Sequence, residues 1–169
     1  MANSTGNETE RMVVTRVFDA PREVVWKAWT DPKYVTQWWG PKGFTSPSCQ
    51  MDFRVGGKYL FCMRTPEGQD FWTGGVYHEI VLHERIVSTM YFSDAQGNKV
   101  SPAELGIEHE AIDEAPDVIT FEDLGNGQTK LTFIGNESME SAMNSGQVEG
   151  WNEQLDKVAA VVAELAQAE

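Results

Sequence analysis

The stretch WKAWTDPKYVTQWWGPKGF, residues 26–44, places four tryptophans within fourteen positions. The stretch GWNEQLDKVAAVVAEL, residues 150–165, repeats apolar side chains at the spacing of an amphipathic helix. The apolar stripe of that helix consists of Trp151, Leu155, Val158, Val162 and Leu165. So much aromatic surface is typical of a core or of the wall of a ligand cavity. The two stretches therefore predict a long C-terminal helix packed against an aromatic-rich surface.

Extended segments fill most of the chain between these two stretches. β-Branched residues predict a strand at residues 12–18, and Pro21 suits the first turn of the helix that follows. Asp31 and Pro32 predict the N-cap and first turn of a second short helix, which ends near Trp38. Six further strands are predicted, at residues 45–54, 58–65, 70–82, 85–92, 117–123 and 128–135.

Turn and cap signals mark the last elements. Asn126-Gly127 is the pair that a two-residue hairpin turn prefers, because both positions need a positive φ. Ser138 is suited to cap a helix, and Gly150-Trp151 is expected to open the long helix. Consecutive strands joined by short turns form an antiparallel meander, which its own twist curls. The sequence thus predicts an α+β fold, with a curved antiparallel sheet of about seven strands, two short helices near the N-terminus and a long C-terminal helix. One helix is too narrow to cover such a sheet completely, so the remaining gap must be filled by the two short helices or left as a cavity.

The composition of the chain limits the classes of partner and the cellular location that can be expected. The formal net charge is -13 and no basic cluster exists, which argues against nucleic acid and anionic lipid as ligands. Residues 1–11 lack the apolar core of a signal peptide, and no apolar run approaches the roughly 20 residues that cross a bilayer. Cys49 and Cys62 do not form a disulfide framework. A reduced, cytoplasmic protein without membrane insertion is the prediction.

The domain organisation is simple. Residues 1–11 are polar and predict a disordered tail. Residues 12–168 are expected to form a single domain, since this length supports one core. Within the domain, residues 99–116 contain two prolines and an excess of acidic side chains, and they predict a long acidic connection.

A set of short motifs, in this order along the chain, resembles the START-like (SRPBCC) superfamily, and within it the branch named after the activator of the heat-shock protein 90 ATPase. The motifs are RVFDAP (16–21), VWKAW (25–29), WWGP (38–41), RVGG (54–57), GVYHEI (75–80), GW (150–151) and LD (155–156). The resemblance covers residues 12–166. It implies a helix-grip fold with a deep cavity between sheet and helix, in a START-like domain over residues 12–168. Relatives bind hydrophobic or polycyclic ligands, act as cyclases, or serve as cochaperone domains.

Candidate pocket residues follow from strand parity and from the helix stripe. They are Trp38, Trp39, Phe53, Tyr59, Phe61, Met63, Trp72, Tyr77, Met90, Phe133, Trp151 and Leu155. For each of them, plain core packing is the alternative explanation. Three residues are candidate polar anchors, namely Arg16, His78 and Glu79. Arg16 shares its strand parity with Phe18, so it needs either an internal carboxylate such as Glu79 or an acidic ligand.

No catalytic residue, cofactor or metal is predicted. His78, His83 and His109 form no tight ligand motif, and no phosphate loop or nucleophile elbow occurs. The leading hypothesis is a non-enzymatic protein that binds a hydrophobic or aromatic small molecule in its internal cavity. A cyclase or hydrolase that uses Arg16, Tyr77, His78 or Glu79 is one alternative. A cochaperone-like binding module is another, and a chaperone contact and a homodimer are left open.

Overall fold

The computed structural model describes residues 10–106 and 115–168. Seven strands are present, namely β1 (Arg11–Phe18), β2 (Thr45–Met51), β3 (Lys58–Arg64), β4 (Asp70–Val81), β5 (Arg85–Ser93), β6 (Asp117–Gly125) and β7 (Gln128–Ser138). The α-helices among these residues are α1 (Arg22–Thr30), α2 (Pro32–Trp38), α3 (Met139–Ser145) and α4 (Gln147–Ala168). A short 3-10 helix covers Pro102–Leu105.

The strands form one antiparallel sheet in the order β1-β7-β6-β5-β4-β3-β2. From β2 to β7, each strand pairs with its sequence neighbour, and β1 closes the series beside β7. Helices α1 and α2 therefore carry the chain from one edge of the curled sheet to the other. The predicted α+β helix-grip architecture is confirmed.

Helix α4 holds the aromatic cluster against the sheet. Trp151 stacks on Trp29 of α1 with ring centroids 6.3 Å apart, and its ring centroid lies 4.3 Å from that of Phe133 on β7. Farther along α4, Leu155 and Val158 are fully buried. Burial of large apolar side chains of this kind is the main term that stabilises the packing of helix on sheet.

Polar bonds fix α4 to the turn that follows α2. The Lys157 Nζ donates to the carbonyls of Gly40, Pro41 and Phe44 at 2.8, 3.0 and 3.1 Å. The Gly40 N–H in turn donates to Gln154 Oε1 at 2.7 Å. Buried backbone groups need such partners, and here side chains of the helix supply them. Side chains of α4 thus bind the Gly40-Pro41 turn directly.

The long helix begins three residues before its predicted start. Ser138 does cap a helix, because its side chain accepts from the Ser141 N–H at 3.1 Å, but that helix is the short α3. Gly146, with φ of 83°, ends α3 in the left-handed conformation, and α4 begins at Gln147. Gly150 lies inside α4, where a Cβ would come within 3.8 Å of the Pro41 side chain. The break between the two helices is therefore at Gly146.

Two other local predictions are confirmed. Asp31 caps α2 by accepting from the Lys33 N–H at 3.0 Å. Asn126 and Gly127 have φ of 56° and 76°, as a two-residue hairpin turn requires. Asp31 therefore sets the start of α2, and Asn126 and Gly127 form the turn between β6 and β7.

The acidic connection is described only in part. It contains the 3-10 helix, whose N-terminus is held by a reciprocal capping box between Ser101 and Glu104. Residues 107–114 of the connection and residues 1–9 of the predicted tail lie outside the described residues. Among the described residues, no helix is long and apolar enough to span a membrane.

Candidate functional site

One cavity, which we call the outer cavity, has a volume of about 620 Å³. It lies between the sheet and the first turns of α4, with strands β5 and β7 on one side and the Gly40-Pro41 turn on the other. Its apolar wall consists of Met12, Trp39, Pro41, Met63, Met90, Tyr91, Phe92, Val100, Pro102, Phe133 and Trp151. This volume falls within the range of small-molecule sites, roughly 300–1,000 Å³.

A second and much smaller space, the inner cavity, lies deeper in the core and measures about 30 Å³. It is large enough for about one water molecule. Trp39, Met90 and Trp151 line both cavities and form the partition between them. These three residues therefore lie between the two spaces.

The outer cavity exists because the sheet opens at one end. Strands β5 and β6 pair only between Arg85–Ser88 and Asp117–Thr120, although β5 continues to Ser93. Beyond Ser88, β5 has no backbone hydrogen bonds to β6, and at the first residue of β6 the Asp117 carboxylate supplies hydrogen bonds instead. It accepts from the Met90 N–H of β5 at 3.2 Å and from the Asn136 N–H of β7 at 2.9 Å. The side chain, 5% exposed, thus bridges two separated strands.

A second buried carboxylate, Glu137, lies in the same wall. It is 3% exposed and accepts from the hydroxyls of Ser141 at 2.6 Å and Ser145 at 3.3 Å. These bonds attach the end of β7 to α3. Among the described residues that line the cavity, Lys99 is the only one with a basic side chain, and it is exposed. The wall of the cavity therefore contains two buried acidic side chains, and the lysine lies at its rim.

One polar atom in the partition has no partner. The indole nitrogen of Trp39 is buried, and no described residue accepts a hydrogen bond from it. The neighbouring Trp38 differs, because its indole donates to the Ala28 carbonyl at 2.9 Å. A buried N–H without an acceptor costs about 1–3 kcal/mol. Trp39 is thus the least satisfied polar group among the described residues of the site.

Two tyrosines close the inner cavity. Burial raises the pKa of both Tyr59 and Tyr77 above the ordinary range of a phenol. The Tyr59 hydroxyl lies 3.3 Å from the Ser88 hydroxyl. Its ring lies directly over Gly75, where a Cβ would come within 1.9 Å of it. Gly75 therefore makes room for a neutral phenol that cannot act as a base near neutral pH.

The predicted pocket residues are distributed over both cavities and the core. Met63 and Phe133 line the outer cavity, and Trp39, Met90 and Trp151 line both. The residues that line only the inner cavity are Trp38, Phe53, Tyr59, Phe61 and Tyr77. Leu155 lines neither cavity and packs in the core.

Trp72 lines neither cavity, in contrast to its prediction as a wall residue. It lies on β4 next to Thr73, whose side chain lines the outer cavity. Alternate residues of a strand point to opposite faces of the sheet, so Trp72 faces away from Thr73 and from Tyr77. As far as Tyr77, the inward face of β4 carries the odd-numbered residues, so Trp72 lies on the opposite face and lines neither cavity.

The predicted polar anchors do not meet in a cavity. Arg16 shares the inward parity of Phe18, but it pairs with Asp156 of α4 at 2.8 Å rather than with Glu79. Glu79 is exposed and pairs with Arg85 at 2.8 Å. His78 is exposed as well, and its Nε2 lies 2.6 Å from the Thr89 hydroxyl. None of these three side chains lines the outer or the inner cavity, so they do not meet at a ligand site there.

The thiols and histidines form no reactive centre among the described residues. Burial raises the pKa of Cys49 and that of Cys62 to about 11, so both are protonated at neutral pH. Within residues 10–106 and 115–168, no three side chains of His, Cys, Asp or Glu are grouped as a metal site would need. His109 lies outside the described residues.

Two residues of the site, Asp117 and Glu137, are not among the residues that the sequence patterns identify. A usable signal exists, because Asp117 has the inward parity of Ile119 and Phe121 on β6, and Glu137 has that of Phe133 on β7. The predicted strand ends at residue 135, so the parity argument does not reach Glu137.

Comparison with solved structures gives the same architecture. A protein from Chromobacterium violaceum is 29% identical, with a TM-score of 0.68, over 90% of this chain and 96% of the other. A protein from Mycobacterium smegmatis is 20% identical, with a TM-score of 0.74, over 90% of each chain. An AHSA1-like protein from Aeromonas hydrophila is 20% identical, with a TM-score of 0.63, over 91% of this chain and 95% of the other. No curated protein matches the sequence.

The family comparison is more specific than the structural one. The family model described as Activator of Hsp90 ATPase homolog 1-like protein matches residues 19–163, which include α1, α2, the whole sheet from β2 to β7 and most of α4. The resemblance inferred from the short motifs is confirmed. The chain belongs to the Activator of Hsp90 ATPase homolog 1-like family, within the START-like superfamily.

Proposed function

We propose that the protein binds a hydrophobic or aromatic small molecule in the outer cavity. The observation that carries the proposal is a space of about 620 Å³ whose wall contains Trp39, Trp151 and Phe133. Aromatic side chains give a ligand a large apolar contact area at low conformational cost. The fold of this family commonly serves such binding, which supports the assignment by analogy.

The geometry favours binding over catalysis. Of the residues nominated for an enzyme, Arg16 and Glu79 are engaged in ion pairs elsewhere, and Tyr77 is a buried neutral phenol. The two buried carboxylates of the outer cavity hold strands and helices together through their hydrogen bonds. The cochaperone alternative stays a prediction.

Filling the cavity is expected to abolish binding. Gly150 lines the outer cavity, and a Cβ there makes only an ordinary contact with Pro41, so Gly150→Phe places a ring in the space without a backbone clash. The neutral fluorescent probe N-phenyl-1-naphthylamine should bind the unaltered protein, and Gly150→Phe should weaken that binding at least about tenfold, which is about 1.4 kcal/mol. Titration followed by probe fluorescence measures both constants.

The matched control introduces the same side chain on the same helix. Ala163 is exposed on α4 and lines neither cavity, so Ala163→Phe should leave probe binding unchanged. Near-ultraviolet circular dichroism checks that both variants remain folded. Equal probe affinity in Gly150→Phe and the unaltered protein would refute the outer cavity as the binding site.

A further inference from the structure

The side-chain amide of Gln154, on α4, is hydrogen-bonded at one end only. Its Oε1 accepts from the Gly40 N–H at 2.7 Å. A backbone N–H can only donate, so this bond identifies the oxygen of the amide, and the NH₂ group lies at the other end. No described residue accepts a hydrogen bond from Nε2. Gln154 therefore has two N–H donors without a protein acceptor in the part of the chain that the structure describes.

This NH₂ group is accessible although its residue is buried. Gln154 is 7% exposed. Among the described residues, the Trp39 indole nitrogen is the only side-chain nitrogen or oxygen that is both sealed from solvent and without a partner. Because Nε2 of Gln154 also has no partner, it must keep accessible surface. Gln154 lines the outer cavity and not the inner one, so the outer cavity is the space into which its NH₂ group can donate.

The amide is also held in a fixed position. The Gly40 carbonyl accepts from Lys157 at 2.8 Å, so side chains of α4 bind both backbone groups of Gly40. A donor that is already held in place loses little conformational entropy when a ligand binds. A hydrocarbon next to Gln154 would leave the NH₂ group unpaired, whereas a ligand with an acceptor would pair it.

We infer that the ligand of the outer cavity is a largely apolar molecule with a hydrogen-bond acceptor such as a ketone oxygen, and that Gln154 Nε2 donates to this acceptor. The inference rests on the proposed function, because it describes the ligand of the same cavity. Gln154 thereby determines specificity, since it selects ligands that carry an acceptor over plain hydrocarbons.

Two probes of nearly equal shape separate these classes. 2-Acetylnaphthalene carries an acceptor, and 2-isopropylnaphthalene replaces its oxygen by a methyl group. The unaltered protein should bind the ketone about tenfold more tightly than the hydrocarbon, as one additional hydrogen bond worth about 1.4 kcal/mol requires. Displacement of N-phenyl-1-naphthylamine, followed by its fluorescence, measures both dissociation constants.

Gln154→Met tests the donor directly. Methionine has nearly the length of glutamine and a similar helix propensity, but it has no N–H. The preference for the ketone should fall to within about twofold, while 2-isopropylnaphthalene still binds. Losing the bond to the Gly40 N–H affects the complexes with both probes alike, so the ratio of the two affinities reports on the NH₂ group.

Two control variants should keep the full preference for the ketone. Thr73 of β4 is 7% exposed, lines the outer cavity and has a hydroxyl to which no described residue is hydrogen-bonded. Thr73→Val removes that hydroxyl from the same wall and keeps the branched shape of the side chain. Gln167→Met repeats the test substitution at an exposed position of α4 that lines neither cavity.

Several outcomes would overturn the inference. Equal affinity of the unaltered protein for ketone and hydrocarbon would do so, as would a preference that survives in Gln154→Met or is lost in Thr73→Val. Should Gln154→Met fail to fold, the side-chain amide of Gln154 in the ¹H–¹⁵N spectrum decides. One of its proton signals should move downfield with the ketone only, and equal movement with both probes would contradict the inference. Binding of neither probe, nor of N-phenyl-1-naphthylamine, would instead refute the proposed function itself.

Discussion

Replacing Trp151 by alanine is expected to lower the free energy of unfolding by about 4 kcal/mol. Trp151 is 6% exposed and its ring contacts those of Trp29, Trp39 and Phe133, so it joins α4 to α1, to the Gly40-Pro41 turn and to the sheet. Removing the ring also removes part of the partition between the two cavities. The melting temperature should fall by roughly 8–16 °C, at about 2–4 °C per kcal/mol for a domain of this size.

A second tryptophan provides the control for this substitution. Trp72 is half-buried and lies outside both cavities, so Trp72→Ala should cost about 1 kcal/mol. Urea denaturation followed by circular dichroism measures both variants. Similar losses for Trp151→Ala and Trp72→Ala would show that the contact between helix and sheet does not depend on Trp151.

Asp117→Asn is expected to lower the free energy of unfolding by about 3 kcal/mol. The two carboxylate oxygens accept from backbone N–H groups on β5 and β7, and an amide can accept with only one of its two positions. The NH₂ group of the asparagine would then face a backbone N–H, and two donors cannot form a hydrogen bond with each other. The substitution therefore loosens the strands that bound the outer cavity, and probe binding should weaken with it.

Asp123 on the same strand is the matched control. It is exposed and accepts only from the Gly125 N–H at the turn, at 2.9 Å, among the bonds described. Asp123→Asn should change the free energy of unfolding by less than about 0.5 kcal/mol. If Asp117→Asn is as stable as Asp123→Asn, the carboxylate does not bridge the two strands.

The fold could be predicted from sequence because its signals are local and repeated. The helix stripe from Trp151 to Leu165, the Asn126-Gly127 turn and the cap at Asp31 each fix an element within a few residues. Their order leaves few arrangements for an antiparallel sheet with one long helix. The start of α4 differs from its prediction because Gly146 and Gly150 look alike in sequence, and only the backbone angle at Gly146 identifies the stop.

The site could be predicted only in part, because it depends on contacts between distant segments. Strand parity identifies aromatic side chains that face inward, but it does not divide them between the inner and outer cavities. The acids at positions 117 and 137 line the outer cavity because β6 begins late beside β5, which no local pattern indicates. Whether an indole N–H finds an acceptor also depends on distant segments: the Trp38 indole donates to the Ala28 carbonyl, whereas the Trp39 indole has no acceptor among the described residues.

The most direct test of ligand binding in the outer cavity is the two-dimensional ¹H–¹⁵N spectrum of the tryptophan indoles, recorded during titration with N-phenyl-1-naphthylamine. The chain has six tryptophans, of which Trp39 and Trp151 line the outer cavity, while Trp26 and Trp72 line neither cavity. We expect the signals of Trp39 and Trp151 to shift until saturation, with those of Trp26 and Trp72 unchanged. A spectrum that does not change, or in which only Trp26 and Trp72 move, would contradict the assignment of the outer cavity as the binding site.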